Sequence, residues 1–382
     1  MGKKHMVNTI PQWVKHLALG IPMIGVCLVA PMTVSPASAG VKIDKFELSS
    51  DFRLRYEIDD ASDKANDRDR ARVRYRFGMK YELSDRLEFG SRFATNSSSI
   101  QSPHQTLGQL SDPSTGSQGR NEDFGLDRAY MKFKLGSDGF LWLGKNGVAL
   151  WQQNEQFWDA DFQAEGAAIG NTYKIGDKAS FTLQGGYYFL NDTSFNFGVG
   201  EDDVIIPIQG VYKRAFDSAD MVFAATTATV VDNSGFIPGG DEQYNQISGQ
   251  LNFRNFALPI TLGYDSFFSD DEEMGYVTTI RTRLDPWTKK IRLRFDWAHI
   301  PLNSVPAQGM ISQDDFRFSS NFEGAQIQLD YDVAKNYNIS FRFYPQDTEN
   351  EAITLADAPG LGNFVQAAHD TTRFQVNLNV KF

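Results

Sequence analysis

The last twelve residues, "TTRFQVNLNVKF" (371–382), alternate apolar and polar side chains. A period of two predicts a β-strand with one apolar and one polar face. A chain end frays unless something holds it, so an aromatic final residue in register with the apolar stripe predicts an apolar environment, either a protein core or a lipid bilayer. The apolar positions are Phe374, Val376, Leu378, Val380 and Phe382.

The first 39 residues have the composition of a secretory signal peptide. Three lysines and no acid precede an apolar run at 17–30, and "ASA" (37–39) supplies a cleavage motif. The run of about 14 residues is shorter than the roughly 20 that a transmembrane helix needs. We therefore expect cleavage after Ala39 rather than a retained anchor helix, and a single exported domain at 40–382.

Composition excludes several classes of function. Removing the signal peptide removes the only cysteine and three lysines, which takes the formal charge from −11 to −14. A chain this acidic is a poor nucleic-acid binder, and its size has to replace disulfides as the source of stability. No cluster of His and Cys has metal-ligand spacing, so neither a metal site nor a cofactor is expected.

The alternation of the C-terminal strand recurs along the chain and predicts sixteen strands in all. It is clear at 46–58, 71–83, 87–95, 129–135, 181–189, 247–253, 291–299, 325–333 and 337–343. It is weaker at 140–146, 163–173, 204–214, 220–230, 258–268 and 274–283. Pro207 argues against the register of one weak strand, because proline cannot donate to a ladder. That strand is expected to begin after Pro207 or to contain a bulge there.

The connections between these strands alternate between short and long, with 269–273 as an exception. This pattern predicts an all-β, transmembrane, antiparallel up-and-down barrel of about 16 strands, with short periplasmic turns and long extracellular loops. A barrel of this width cannot be filled by side chains. The polar face is therefore expected to line a wet lumen, and the apolar face to contact lipid.

Beyond these patterns, the signal peptide, the alternating strands and the ending "RFQVNLNVKF" (373–382) resemble a Gram-negative outer-membrane porin. The segments "LGKNGVALWQQNEQFWDADFQAEG" (143–166) and "SQDDFRFSSNFEG" (312–324) are more similar to the "putative porin" family than to the general trimeric porins. The resemblance implies a passive channel for small solutes or ions, surrounded by outer-membrane lipids and lipopolysaccharide and assembled as a homotrimer. It also implies that the outer-membrane assembly machinery reads the terminal apolar stripe.

The alternate residues that share the polar face of each predicted strand place an arc of basic side chains on the wall of the expected lumen. Its members are Arg53, Arg55, Arg72, Arg74, Arg76, Arg92, Arg128, Arg292 and Arg294, with Lys80, Lys132, Lys134, Arg342, Arg373 and Lys381 on the same face. A basic wall facing an acidic segment would create a transverse field that selects solutes by size and charge. The alternative is that these charges pair with one another and only solvate the lumen.

The acidic segment expected to face this arc is the third long connection, 147–162. It carries Glu155, Asp159 and Asp161, and Glu165 follows it directly. In the porins that this chain resembles, the third loop folds into the lumen. The resemblance therefore implies a constriction at this segment, while the sequence itself leaves the direction of the loop open.

Two other classes of function compete with the channel. An outer-membrane hydrolase needs a nucleophile, a base and an orienting group, but His104 and His369 lie in loops expected to be mobile. His299 shares the lipid-facing parity with Trp297, and it is expected at the membrane interface, as is Trp142. A soluble exported glycan-binding β-protein is the third hypothesis, and extraction from the outer-membrane fraction would separate it from a channel.

Overall fold

The computed structural model describes residues 41–61, 67–95, 102–107, 124–191, 202–232, 241–254, 256–269, 274–301, 304–305, 315–316, 320–348 and 370–382. The expected signal peptide lies outside these residues. Within them every regular element is a strand, and no helix is long and apolar enough to cross a membrane.

The strands follow the chain in simple order. They are β1 (Val41–Ile43), β2 (Phe46–Ala61), β3 (Arg68–Ser84), β4 (Leu87–Thr95), β5 (Gln105–Thr106), β6 (Phe124–Leu135), β7 (Gly139–Gly147), β8 (Gln163–Ile175), β9 (Ala179–Asn191), β10 (Asp203–Ala215), β11 (Ala219–Val231), β12 (Glu242–Phe253), β13 (Ile260–Ser269), β14 (Gly275–Arg283), β15 (Ile291–Ile300), β16 (Phe322–Ala334), β17 (Tyr337–Thr348) and β18 (Thr371–Lys381).

Sixteen of these strands form a closed antiparallel barrel. Each long strand pairs with the long strands before and after it, and β18 pairs with β2 to close the cylinder. The short strands are additions: β1 pairs with the start of β2, and β5 pairs with β3 beyond the end of β4. The predicted strand number and up-and-down topology are confirmed. Closure leaves no sheet edge, so the backbone groups of the strands can pair around the whole barrel.

Side-chain burial is inverted relative to a water-soluble protein. On β18 the polar side chains Gln375 and Asn377 are 0% and 1% exposed, whereas the apolar Phe374 and Val376 are only half-buried. Elsewhere on the outside, Ile169 is 54% exposed. Because exposing apolar surface to water is unfavourable, the outer surface fits a lipid environment and the polar face lines the interior.

The final residue is held by the first long strand. The Ser50 amide donates to the Phe382 carbonyl at 3.1 Å, and the Phe382 amide donates to the Ser50 carbonyl at 2.8 Å. The Phe382 ring continues the outer apolar stripe and is 48% exposed. The chain end therefore does not fray, because it completes the closure between β18 and β2.

Pro207 lies inside β10 rather than before it, so the expectation that this strand begins after Pro207 is wrong. The strand begins at Asp203, and its register shift lies between Asp203 and Val204. Pro207 is paired with Ala228 on β11, whereas the ladder towards β9 passes from Ile205 to Ile208 without it. The missing N–H thus interrupts one ladder locally, and the neighbouring pairs maintain the strand.

Candidate functional site: the pore constriction

The segment 148–162 between β7 and β8, which we name the inward loop, folds into the barrel. Near its start, the Trp151 amide donates to Gln209 Oε1 at 2.7 Å, and Gln209 Nε2 donates to the Trp151 carbonyl at 3.0 Å. The Ala149 amide donates to the Tyr188 hydroxyl at 3.1 Å. Tyr188 of β9 and Gln209 of β10 both point into the barrel, on the same face as the polar residues of their strands. The loop therefore begins against the inner wall.

The tip of the inward loop reaches a distant part of the wall. Arg281 Nη2 donates to the Gln153 carbonyl at 2.7 Å, and the Thr279 hydroxyl donates to Gln153 Oε1 at 3.4 Å. The Asn154 amide group donates to the carboxylate of Asp265 on β13. The loop therefore spans the lumen from β9 and β10 to β13 and β14, and the remaining passage is narrowed.

An aromatic cluster inside the barrel supports the loop. Phe157 is 1% exposed, and its ring centroid lies 5.1 Å from those of Trp158 and Phe267. Trp142, expected at the membrane interface, instead points inward and stacks on Tyr188 at 5.8 Å. The expectation for Trp142 was wrong because strand parity, not residue type, sets the side: Trp142 is paired with Ala168 on the inner face of β8.

The return of the inward loop brings one of its acids to the basic wall. Asp161 Oδ1 accepts a hydrogen bond from Arg76 Nη1 at 3.0 Å, and Asp161 Oδ2 lies 3.6 Å from Arg74 Nη1. Asp159 is 5% exposed and shapes the turn by accepting from the amide of Asp161 at 2.5 Å. Asp161 therefore contacts the arginine wall, whereas Asp159 holds the loop in shape.

Glu155 is exposed to the lumen water although the barrel wall surrounds it. It forms no ion pair with any residue that the structure describes, and it borders both lumen compartments described below. Enclosure by the wall reduces hydration of the carboxyl group and, together with the Asp315 carboxylate, raises the pKa of Glu155. Among the predicted acids, Glu155 is the one that borders both compartments.

Glu165 does not belong to the inward loop. It lies on β8 and is paired with Lys145 of β7, on the same parity as the outward-facing Leu143. Its carboxylate accepts from Lys145 Nζ at 2.8 Å, and its side chain is 60% exposed. The expected constriction role of Glu165 is corrected, because this parity places it on the outside of the barrel.

The nine arginines predicted for the basic arc occupy the inner parity of their strands. Six of them border one lumen compartment of about 410 Å³. Two border a second compartment of about 560 Å³, on the other side of Glu155. The first set is Arg53, Arg55, Arg74, Arg76, Arg92 and Arg128, and the second is Arg292 and Arg294.

The ninth arginine, Arg72, is covered by the segment 102–107. Its Nη2 donates to the Ser102 hydroxyl at 3.2 Å and to the His104 carbonyl at 3.0 Å. His104, expected in a mobile loop, is 4% exposed. Burial, together with the nearby Arg55 and Arg53, lowers the pKa of His104 well below its usual range. The imidazole is therefore neutral at pH 7.

Asp315 is a second acid that reaches the lumen arginines from a segment between strands. The alternation of side chains could not predict this contact, because it assigns sides only within strands. Asp315 Oδ2 accepts from Arg342 Nη1 at 2.7 Å, and Asp315 Oδ1 lies 3.6 Å from Arg55 Nη2. Burial alone would raise the pKa of Asp315, but Arg342 and Arg55 outweigh it and lower the pKa below the usual range. The adjacent Phe316 is buried against Phe322 and Tyr344. In the sequence, only the similarity of the segment 312–324 to the "putative porin" family drew attention to this region.

The described residues offer no arrangement typical of a metal site or a hydrolase. None of their groups of His, Cys, Asp and Glu could hold a metal ion. His299 lies on the outer face of β15, as expected, with its ring 5.2 Å from that of Tyr276. His369 lies outside the described residues.

Comparison with protein families gives one match. Residues 43–208 match the family model described as "Putative porin", which confirms the resemblance over that part of the chain. No curated protein matches this sequence.

Three solved structures have a fold similar to that of this chain. The high-pH structure of Pseudomonas putida OprB has a TM-score of 0.57 at 11% identity, covering 88% of this chain and 94% of that one. Salmonella typhi OmpF, in a complex with daunomycin, has a TM-score of 0.51 at 12% identity over 90% and 100%. Vibrio cholerae OmpT, in its trimer form, has a TM-score of 0.50 at 11% identity over 89% and 100%. At these identities the likeness establishes the fold alone.

Proposed function

We propose that this chain, a porin-like barrel that matches the "Putative porin" model over 43–208, is a passive diffusion channel for small hydrophilic solutes across the outer membrane of a Gram-negative bacterium. The observation that carries the proposal is the combination of an apolar outer surface with a charged interior that the inward loop narrows without filling. A structural barrel would not need a lumen lined by arginines, because each buried charge costs free energy unless it is paired or hydrated.

The electrostatics of the lumen favour weak anion preference. The compartment around Arg53 is lined by eight basic and six acidic side chains, an excess of two positive charges in a chain whose formal charge is −11. Charges at an open mouth are screened over roughly 8 Å at physiological salt. Charges in a narrow lumen act at closer range on a passing ion, so the lumen rather than the net charge decides selectivity.

The remaining parts of the proposal concern assembly. Residues 1–39 act as a cleaved signal peptide, and 40–382 form one barrel domain. The terminal stripe from Phe374 to Phe382 is the signal for the assembly machinery, and the barrel forms a homotrimer in contact with lipids and lipopolysaccharide. The trimeric form of the OmpT structure supports the trimer by analogy. An enzymatic activity has no supporting arrangement among the described residues.

The test is reconstitution of the purified, folded protein into planar bilayers and liposomes. We expect discrete conductance steps, liposome swelling that slows as neutral sugars increase in size, and a reversal potential in a tenfold KCl gradient that indicates weak anion preference. The same preparation unfolded by boiling is the control and should give no steps. A folded barrel that never conducts would refute the channel function.

A further inference from the structure

We infer that Arg53 forms a binding site for small oxyanions, carboxylates or phosphate, in the compartment beside the inward loop. This inference rests on the proposed channel function and identifies the class of solute that the channel favours. It begins from a difference among the lumen arginines that their placement on the strands does not show. Most of them are paired with carboxylates, whereas Arg53 meets no carboxylate within the part of the chain that the structure describes.

The arginine ladder on β3 is largely neutralised. Arg76 donates to Asp51 at 2.7 Å and to Asp161 at 3.0 Å. Arg74 donates to Asp51 at 3.1 Å and lies 3.6 Å from Asp161. Two guanidinium groups thus share two carboxylates, and this quartet has no net charge to offer a passing anion.

Other lumen arginines are also paired with carboxylates. Arg92 pairs with Asp127, and Arg294 donates to Asp296 at 2.6 Å. Arg342 and Arg55 share Asp315. These pairs are held by neighbouring strands or by the segments that enter the barrel. They set the shape of the passage, and little of their positive charge remains for an anion.

Arg128 and Arg281 have no carboxylate partner among the described residues but hold the inward loop in place. Arg128 Nε donates to Gln163 Oε1 at 2.5 Å where the loop rejoins β8, and Arg281 holds the Gln153 carbonyl at the tip. Replacing either one would change the shape of the pore as well as its charge. Neither is therefore a clean candidate for a site that binds solute.

Arg53 differs from all of these. Its Nε donates to Asn379 Oδ1 at 2.6 Å, and it forms no ion pair with any of the residues that the structure describes. Arg74 is its partner across the β2–β3 ladder, and Arg55 lies two residues along the same face. The remaining N–H groups of Arg53 thus lie in a region of excess positive charge.

Two neighbouring donors also lack partners. Arg342 Nε and the hydroxyl of Ser340, which is 2% exposed, have no hydrogen-bond partner among the described groups. Both residues line the same compartment as Arg53, and so do Asn338 and Asn379. A guanidinium group binds carboxylate or phosphate oxygens through paired N–H donors. A planar or tetrahedral oxyanion therefore fits this group of donors better than a spherical halide.

The experiment measures block of the chloride current through the wild-type channel in planar bilayers. Acetate, succinate and inorganic phosphate are titrated separately at constant ionic strength. We expect saturable block by oxyanions, and the class that blocks at the lowest concentration identifies the preferred ligand. Arg53→Gln should raise the half-blocking concentration about tenfold, the change expected from the loss of a charge-assisted hydrogen bond.

A second variant tests the same site without shortening the arginine. Asn379→Asp places a carboxylate where the Asn379 oxygen already meets Arg53, so it should neutralise Arg53 and weaken block to a similar extent. Lys178→Gln removes the same charge as Arg53→Gln from a side chain that is 67% exposed in a turn outside the lumen, and it should leave block unchanged. Heat-modifiable migration on gels verifies that each variant is folded.

The outcomes separate the two proposals. A folded wild-type protein that gives no conductance steps would refute the channel itself. Conductance without saturable oxyanion block would overturn the Arg53 site and leave the channel function standing. The site would also be overturned by block that persists at wild-type strength in both folded Arg53→Gln and Asn379→Asp, or by an equal loss in Lys178→Gln.

Discussion

At the scale of single residues, function depends on which charges lack a counter-charge. Arg76 and Arg53 lie on neighbouring strands and share the inner face, but Arg76 contacts two carboxylates and Arg53 none among the described residues. Glu155 is the acidic counterpart of Arg53, a carboxyl group at the narrowed passage with no ion pair to any described residue. The effect of a substitution in this lumen is therefore set by the partner that it removes or leaves behind.

Glu155 makes ion selectivity depend on pH. Because its pKa is raised, Glu155 takes up a proton at a higher pH than an ordinary glutamate, whose pKa is about 4.3. On acidification from pH 7 we expect the reversal potential in a KCl gradient to move towards anion preference, as one negative charge leaves the passage, and this movement should begin at a higher pH than an ordinary glutamate would give. The lowered pKa of Asp315 keeps that carboxylate charged while Glu155 takes up its proton, and the lowered pKa of His104 keeps its imidazole neutral at pH 7.

The matched variant for this prediction is Glu155→Gln. At pH 7 it should already show the anion preference that the wild type reaches once Glu155 is protonated, and its own response to acid should be small. An unchanged acid response in Glu155→Gln would assign the titration to another group.

At the scale of elements, the stems of the inward loop depend on two glycines. Gly144 on β7 and Gly166 on β8 are paired directly, and both have positive φ, 116° and 143°. A Cβ on Gly144 would overlap the Ala129 carbonyl oxygen, and one on Gly166 would overlap the Tyr187 carbonyl oxygen. The strands that carry the loop can therefore approach their neighbours only because these two positions have no side chain.

We predict that Gly166→Ala destabilises the barrel by at least about 1–3 kcal/mol, the usual cost of a residue held in a sparsely populated backbone conformation. The measurement is the urea concentration at which half of the protein in detergent is unfolded, with the folded fraction read from the heat-modifiable gel shift. Gly249→Ala is the control, because Gly249 is on β12 with no heavy atom within 4 Å of the added Cβ. Equal midpoints for the two variants would show that the stems tolerate a side chain.

At the scale of the whole molecule, the barrel is closed by a polar ladder inside and an apolar stripe outside. On the inner face between β2 and β18, Arg373 donates to Asp59 at 2.7 Å and Gln375 donates to Glu57 at 2.9 Å. On the outer face, Phe374 is opposite Ile58. The first and last long strands therefore recognise each other on both faces, and the chain cannot complete its sheet until the C-terminus is in place.

Deletion of Phe382 should lower the amount of barrel in the outer membrane several-fold. The deletion removes the backbone hydrogen bonds with Ser50 and the terminal aromatic group proposed as the assembly signal. The measurement is the amount of heat-modifiable protein in outer-membrane fractions, and Phe382→Tyr, which keeps an aromatic ring and the backbone, should stay near the wild-type level. A wild-type level after deletion would exclude this role for the terminal residue.

The strand count, the closed barrel and the side to which most strand residues point were all predictable from the sequence. These properties follow from the alternation of apolar and polar side chains within each strand. This alternation, as from Phe374 to Phe382, can be recognised without knowing which strand is the neighbour. The inner placement of the nine arginines was predictable for the same reason. The prediction that a strand begins after Pro207 was wrong because it gave more weight to one missing N–H donor than to the hydrogen-bonded residue pairs on either side of it.

Which of those charges remain available depends on the folded barrel. Asp161 reaches Arg76 across 85 residues of sequence, and Asp315 reaches Arg55 and Arg342 from a segment without alternation. Glu165 lies within the predicted strand 163–173, and its pairing with Lys145 on β7 placed it on the outside of the barrel. Partner choice in a lumen is set by three-dimensional distance, because the energy of two charges depends on their separation and surroundings and not on their spacing along the chain.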